Sequence, residues 1–205
     1  MGVYKLSGAG SVKTGRTLYT SMNANNQIGA VTPIAYTSLT SASFIDLINI
    51  PQTYQDLRIV FNARSSNTDA SGDRLRLYVD QGGGFQYTNI YSNTHLVGNG
   101  STPSSYRQSN NNALESTTII PTASQASGIF ATLTFDILNY RSSTNKTFLY
   151  RTASDWNGSG QTVATVGLIR NTGPITGFQF ATALGNNHYA AGTTIAIYGI
   201  RAVSS

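Results

Sequence analysis

The sequence predicts an all-β chain: an antiparallel, jelly-roll-like β-sandwich of about eight strands, with an extended N-terminal arm. Three observations carry that expectation. Apolar and polar residues alternate with period two in a series of short runs. Turn signals rich in Gly, Asn, Asp and Pro separate those runs. No long window repeats its apolar residues with the 3.6-residue period of a helix, and Ala113-Leu114-Glu115-Ser116 offers one helical turn at most.

The elements follow in chain order. Residues 1–33 differ from the rest. Gly8-Ala9-Gly10-Ser11 and Asn23-Ala24-Asn25-Asn26 are loop-like, and Val3, Leu6, Val12, Leu18, Tyr19, Met22 and Ile28 keep no steady period. Nothing here buries itself, so the segment reads as an arm that docks on a partner, with a disordered tail as the alternative. Extended, some 30 residues reach at most roughly 100 Å. Lys5, Lys13 and Arg16 precede the first acidic residue, Asp46, so the arm is purely cationic. Those three and Tyr19 are the predicted partner contacts. Residues 34–205 form the predicted sandwich domain.

Ile34–Leu39 and Ser43–Asn49 are its first short runs. Leu57, Ile59 and Phe61 then alternate with Arg58, Val60 and Asn62. Leu75, Leu77 and Val79 repeat the pattern. Ile129, Ala131, Leu133, Phe135 and Ile137 make the longest clean alternation in the chain. Thr147–Thr152, Thr162–Arg170, Ile175–Thr182 and Thr193–Arg201 complete the set. The stretch from Tyr87 to Thr122 is poor in periodicity and rich in Ser and Asn, which predicts a long excursion with a short hairpin. Energetics closes these strands into two sheets. Burying a large apolar side chain gains roughly 1.5–3 kcal/mol, whereas ordering each residue's backbone costs about 1–2 kcal/mol. A lone strand at best breaks even, and two packed sheets let each inward face be buried by the other.

Composition narrows the function classes. Hydrophobic residues make up 40% of the 205, enough for a sizeable core. Charged residues are only 10%, against roughly 25% in an average domain. Ser, Thr, Asn, Gln and Gly replace them, a surface that suits extracellular and virion proteins. There is no cysteine, which excludes disulfides and thiolate metal sites and suits folding in a reducing cytosol. No apolar run is long enough for a transmembrane helix, and the N-terminus lacks the apolar region of a secretory signal. The net charge of +5 comes from scattered arginines rather than a basic stripe, so no nucleic-acid partner is expected.

No constellation for catalysis is visible. His95 and His188 are isolated and read as loop residues. Glu115 is the only glutamate, so the paired carboxylates of glycoside hydrolysis have a poor footing. Asp69-Ala70-Ser71-Gly72-Asp73 reads as a turn, because two carboxylates are too few for a calcium loop. Asp56 reads as a local partner for backbone donors at a strand entrance. Asn157-Gly158-Ser159-Gly160-Gln161 departs from the nucleophile-elbow pattern, and Gly15-Arg16-Thr17 only echoes a phosphate loop. The expectation is a non-enzymatic protein with no catalytic residue, metal or cofactor. Aromatics remain as candidates. Tyr87, Tyr91, Tyr106 and Trp156 are the predicted subunit or glycan contacts, since large rigid rings with polar tips favour interfaces. Protein contact is the preferred reading.

Two motifs add a resemblance. Ile50-Pro51-Gln52-Thr53-Tyr54-Gln55-Asp56-Leu57, followed by an alternating strand and Ala63-Arg64-Ser65, opens the domain. Ala190-Ala191-Gly192-Thr193-Thr194-Ile195-Ala196-Ile197-Tyr198-Gly199-Ile200 closes it. Together they resemble a β-sandwich family of tailed-bacteriophage virion proteins, over about residues 34–205. The resemblance implies a capsid decoration or cement protein that binds the outer shell and stabilises it, or alternatively a tail- or head-fibre module that recognises a host glycan. It implies as partners the major capsid protein and other copies of the chain, with a trimer expected by analogy. It places the protein on the capsid surface of the virion after synthesis in the host cytoplasm, with no membrane partner. It supplies no catalytic residues. In this reading Pro51 stops a strand, Tyr54 packs under a corner, and Tyr198 and Gly199 end the last strand against it.

Overall fold

The computed structural model describes residues 31–184 and 189–201, and for residues 116–119 the backbone alone. The described residues form twelve strands and no helix. These are β1 (Val31–Ser38), β2 (Phe44–Leu47), β3 (Asp56–Ala63), β4 (Asp73–Asp80), β5 (Tyr91–Gly98) and β6 (Ser104–Asn111). β7 (Leu114–Ile120), β8 (Ala131–Ile137), β9 (Lys146–Asp155), β10 (Gly160–Ile169), β11 (Gly177–Thr182) and β12 (Thr194–Ile200) follow. They pair antiparallel in two sheets. The large sheet runs β1-β12-β3-β8-β9-β10-β5-β6, and the small one β2-β11-β4-β7. The chain is therefore an all-β, antiparallel β-sandwich.

The inward stripes are those that the alternation picks out. Leu57, Ile59 and Phe61 of β3 and Leu133, Phe135 and Ile137 of β8 are buried, as are Leu75, Leu77 and Val79 of β4. Rings join the two layers. Phe61 and Phe135 of the large sheet both meet Phe180 of the small one edge-on, at 5.5 and 5.6 Å between centroids. Such pairs add about 0.5–1.5 kcal/mol beyond the area they bury.

Three differences from the sequence reading have physical causes. First, twelve strands replace the expected eight or so. The surplus lies mainly in Tyr87–Thr122, which is not a long excursion but β5, β6 and β7. The inward positions of β5 include Asn93 and His95, and β6 is an all-polar edge, so neither shows an apolar stripe. Second, β1 begins at Val31, paired with Ile200, so residues 31–33 belong to the sandwich and not to the arm. Pro33 tolerates its place because β1 is an edge strand with a bulge beside it. Third, Asp56 serves a distant partner: its Oδ1 accepts the Asn139 N–H at 2.7 Å.

The opening and closing motifs are neighbours. β3 pairs with β12 from Asn62 opposite Thr194 to Asp56 opposite Ile200. Gly199 lies under the Tyr54 ring so closely that a Cβ there would sit 2.3 Å from ring carbons. The Arg201 guanidinium lies over the same ring, 5.4 Å from its centroid. Beyond the other end of β3, Arg64 O accepts from Ala190 N at 2.8 Å, and Arg64 N donates to Thr193 Oγ1 at 3.2 Å. The buried Arg64 guanidinium donates to the carbonyls of Gln125, Ala126 and Ile129 at 2.7, 2.9 and 2.8 Å. It pins the segment that leads into β8.

Candidate functional surfaces

The predicted contacts Lys5, Lys13, Arg16 and Tyr19 lie outside the described residues, as does His188. The predicted aromatic contacts do not converge. Tyr91 is fully buried at the start of β5, on its inward face. Its hydroxyl donates to Gln86 O at 2.8 Å and accepts from Val79 N at 3.1 Å, and burial pushes the phenol pKa far above its usual value. This removes Tyr91 from the surface set. Tyr87 is 54% exposed, with its ring edge-on to Tyr78 and its hydroxyl donating to Gln179 Oε1 at 2.9 Å. Tyr106 is 52% exposed on β6, at the edge of the large sheet. Trp156 sits half-buried in the β9–β10 turn. Its N–H donates to Ser159 O at 2.8 Å, and its indole N–H donates to Ser154 Oγ. The ring therefore braces the turn.

His95 is no loop residue. It lies in β5, 1% exposed, with Nδ1 at 2.9 Å from Thr165 Oγ1. Burial lowers its pKa, opposed by the nearby Gln108 side chain and the Glu115 charge. An unfolded histidine titrates near pH ~6.5. As pH falls through that value the unfolded chain takes up a proton that the folded chain resists. The titration of His95 therefore costs little at neutral pH and progressively destabilises the fold as pH falls through about 6.5. The urea midpoint should drop between neutral pH and mildly acidic pH, and His95→Gln should flatten that drop. An equally steep drop in the variant would assign it to other groups.

The described carboxylates serve the fold. Glu115 is bridged by Arg74 and Arg76, each at 2.9 Å. Asp73 is buried, accepting from Ser65 Oγ at 2.8 Å and from the backbone N–H groups of Arg74, Ala183 and Leu184. Asp69 accepts from the Ser71 hydroxyl and N–H at 2.6 and 2.7 Å, bonds that hold its carboxyl below the usual range. Asp80 caps the N–H groups of Gly82 and Gly84, and Asp136 pairs with Arg58 at 2.6 Å. Among the described residues no three His, Asp or Glu side chains gather as a metal site.

Two surfaces remain, both on the outer face of the large sheet. One is apolar. Leu149 and Val166 are cross-strand partners, as are Leu96 and Ala164. Leu96, Leu149 and Val166 are exposed at 61%, 47% and 42%. Tyr36 and Val31, also exposed, lie at the opposite edge of that face, beyond the Arg58–Asp136 pair. A soluble monomer rarely leaves a contiguous apolar patch open. The second is a cleft of about 740 Å³ where β8, β9, β10 and β5 end or begin, walled by the β5–β6 loop, the β9–β10 turn and Phe130. Its floor is one row of small residues across the four strands: Thr132, Ala153, Thr162 and Gly98. Among the described residues, Asp155 is the one charged residue that lines it.

No known family model, curated protein or solved structure matches this chain. Of the sequence-predicted contacts, Trp156 lies in the turn that walls the cleft though it does not line it, and no described one lies on the apolar patch. The Asn157-Gly158-Ser159-Gly160 turn signal marks one wall of the cleft, but the other parts come from segments distant in sequence.

Proposed function

We propose that this protein is a structural virion protein of a tailed phage: a capsid decoration protein that binds the outer shell, stabilises it, and assembles with copies of itself. The observation that supports it most is the strand order. Setting aside β5–β6 and β9–β10, the orders β1-β12-β3-β8 and β2-β11-β4-β7 remain. We read these as the two interleaved Greek keys of a jelly roll, an architecture common in viral capsid domains. That step is fold-level analogy, and the resemblance of Ile50–Leu57 and Ala190–Ile200 to a phage virion family points the same way. The two extra hairpins widen the large sheet and carry the apolar patch formed by Leu96, Ala164, Leu149 and Val166. A second copy is its proposed occupant, in a homo-oligomer that is trimeric by analogy. Arg151 beside Ala164 and Arg107 near Val166 rim the patch, a polar edge around an apolar centre of the kind that interfaces show, and closed symmetric assembly is the usual outcome for self-association.

In this reading the cationic arm docks on the shell through Lys5, Lys13, Arg16 and Tyr19. Heads of the parent phage assembled without the protein provide the test. The full chain should co-sediment with them at a fixed stoichiometry, and a chain starting at Val31 should not. Equal occupancy by the truncated chain would sink the docking role of the arm. A second reading, a tail- or head-fibre module that recognises a host glycan, is favoured by the cleft beside Asp155.

A further inference from the structure

We propose that the cleft at the outer end of β8, β9, β10 and β5 is a binding site for a neutral saccharide. The inference deepens the glycan-recognition reading but holds on a head or a tail alike. Its geometry is fixed before any ligand arrives. The floor is sheet backbone, and the depth exists because Ala153 and Gly98 carry almost no side chain where neighbouring rows carry Arg151 and Leu96. The β9–β10 wall is held by Asp155 Oδ1, which accepts Asn157 N–H at 2.8 Å, and by the Trp156 bonds to Ser159 and Ser154. Gly160 closes it at φ 141°, where a Cβ would lie 2.1 Å from Ser154 O. The opposite wall is held by Asn99 Oδ1, which accepts the N–H groups of Ser101 and Thr102 at 3.0 and 2.9 Å. Phe130 sits against Gly192, whose added Cβ would meet its ring at 3.1 Å.

The lining selects the ligand class. Among the described residues no Lys or Arg lines the cleft, so an anion finds no countercharge from them. A calcium ion wants roughly six to eight oxygens with several carboxylates, and one carboxylate is present. A lone aromatic ring cannot shelter a largely apolar molecule. What remains is a ligand dense in hydroxyls with one apolar face. Asp155 accepts from sugar hydroxyls, Gln161, Ser101 and Thr162 exchange hydrogen bonds with them, and Phe130 covers the C–H face. The volume of about 740 Å³ falls within the ~300–1,000 Å³ of small-molecule sites.

The test is a ¹H–¹⁵N NMR titration of the full chain with glucose, galactose, mannose and N-acetylglucosamine, each to tens of millimolar, and with inorganic phosphate in parallel. At least one sugar should move the amides of Gly98–Ser101 and Asp155–Gln161 while phosphate leaves them still. Asp155→Asn keeps the oxygen that caps the turn, so it should fold normally and bind about tenfold more weakly. Ala153→Leu should fill the floor and abolish the shifts. If no sugar moves those amides, if phosphate moves them more than any sugar does, or if both variants bind as tightly as the native chain, the cleft is not a saccharide site. Head occupancy is measured separately, so failure of one proposal leaves the other readable.

Discussion

Gly199→Ala should destabilise the sandwich by about 3 kcal/mol, at the upper end for an overpacked core, which lowers the melting temperature by roughly 6–12 °C for a domain of this size. The cause is the Tyr54 ring, whose carbons lie 2.3 Å from the Cβ that alanine would add. The ring cannot easily retreat. Tyr54 is buried at the corner, with the Arg201 guanidinium over its ring. The decisive comparison is a double-mutant cycle. In a Tyr54→Ala background the clash is gone, and glycine in a strand interior is less stable than alanine by roughly 0.5–1 kcal/mol. Gly199→Ala should then turn from harmful to mildly favourable. A cost independent of residue 54 would mean that the corner is not what requires glycine.

Arg64→Met should cost about 3–5 kcal/mol, the range for stranding buried partners of a charge. The guanidinium serves three carbonyls, those of Gln125, Ala126 and Ile129, and is itself 8% exposed. Methionine keeps much of the volume but leaves those oxygens with no donor, at roughly 1–3 kcal/mol for each unsatisfied group before coupling between them is counted. Arg64→Lys should recover only part, because one ammonium cannot reproduce the planar fork. Urea denaturation gives the total. Amide exchange in residues 121–130 gives the location, since that segment should open faster than the sheets. A loss below about 1 kcal/mol would show that water replaces the arginine there.

Legibility in the sequence followed burial. β3, β4 and β8 could be read directly, because inward Leu, Ile, Val and Phe alternate with polar residues over a full strand. β5 could not, because its inward Asn93 and His95 find partners across the fold. The Asn93 side chain donates to Glu115 O at 2.8 Å, and His95 meets Thr165 on the neighbouring strand. β6 is polar on both faces and declares itself only by pairing with β5. The motif run from Ile50 to Arg64 was legible as a corner, but the need for glycine at residue 199 appears only once β12 lies beside β3. The surfaces were less legible than the fold. Exposed Leu96, Leu149 and Val166 look like ordinary strand residues until register sets them side by side. Asp155 joins Ser101, Phe130 and Thr132 only through sheet order.

Assembly through the outer face of the large sheet is tested most directly by the mass of the native chain in solution, measured beside a Leu149→Asp, Val166→Asp double variant. Both residues are exposed and neither packs in the core, so the variant should keep its strand content and melting behaviour. The native chain should run as a defined oligomer, and the variant as a monomer. A native chain that stays monomeric, or a variant that keeps the native mass, would contradict the assembly role.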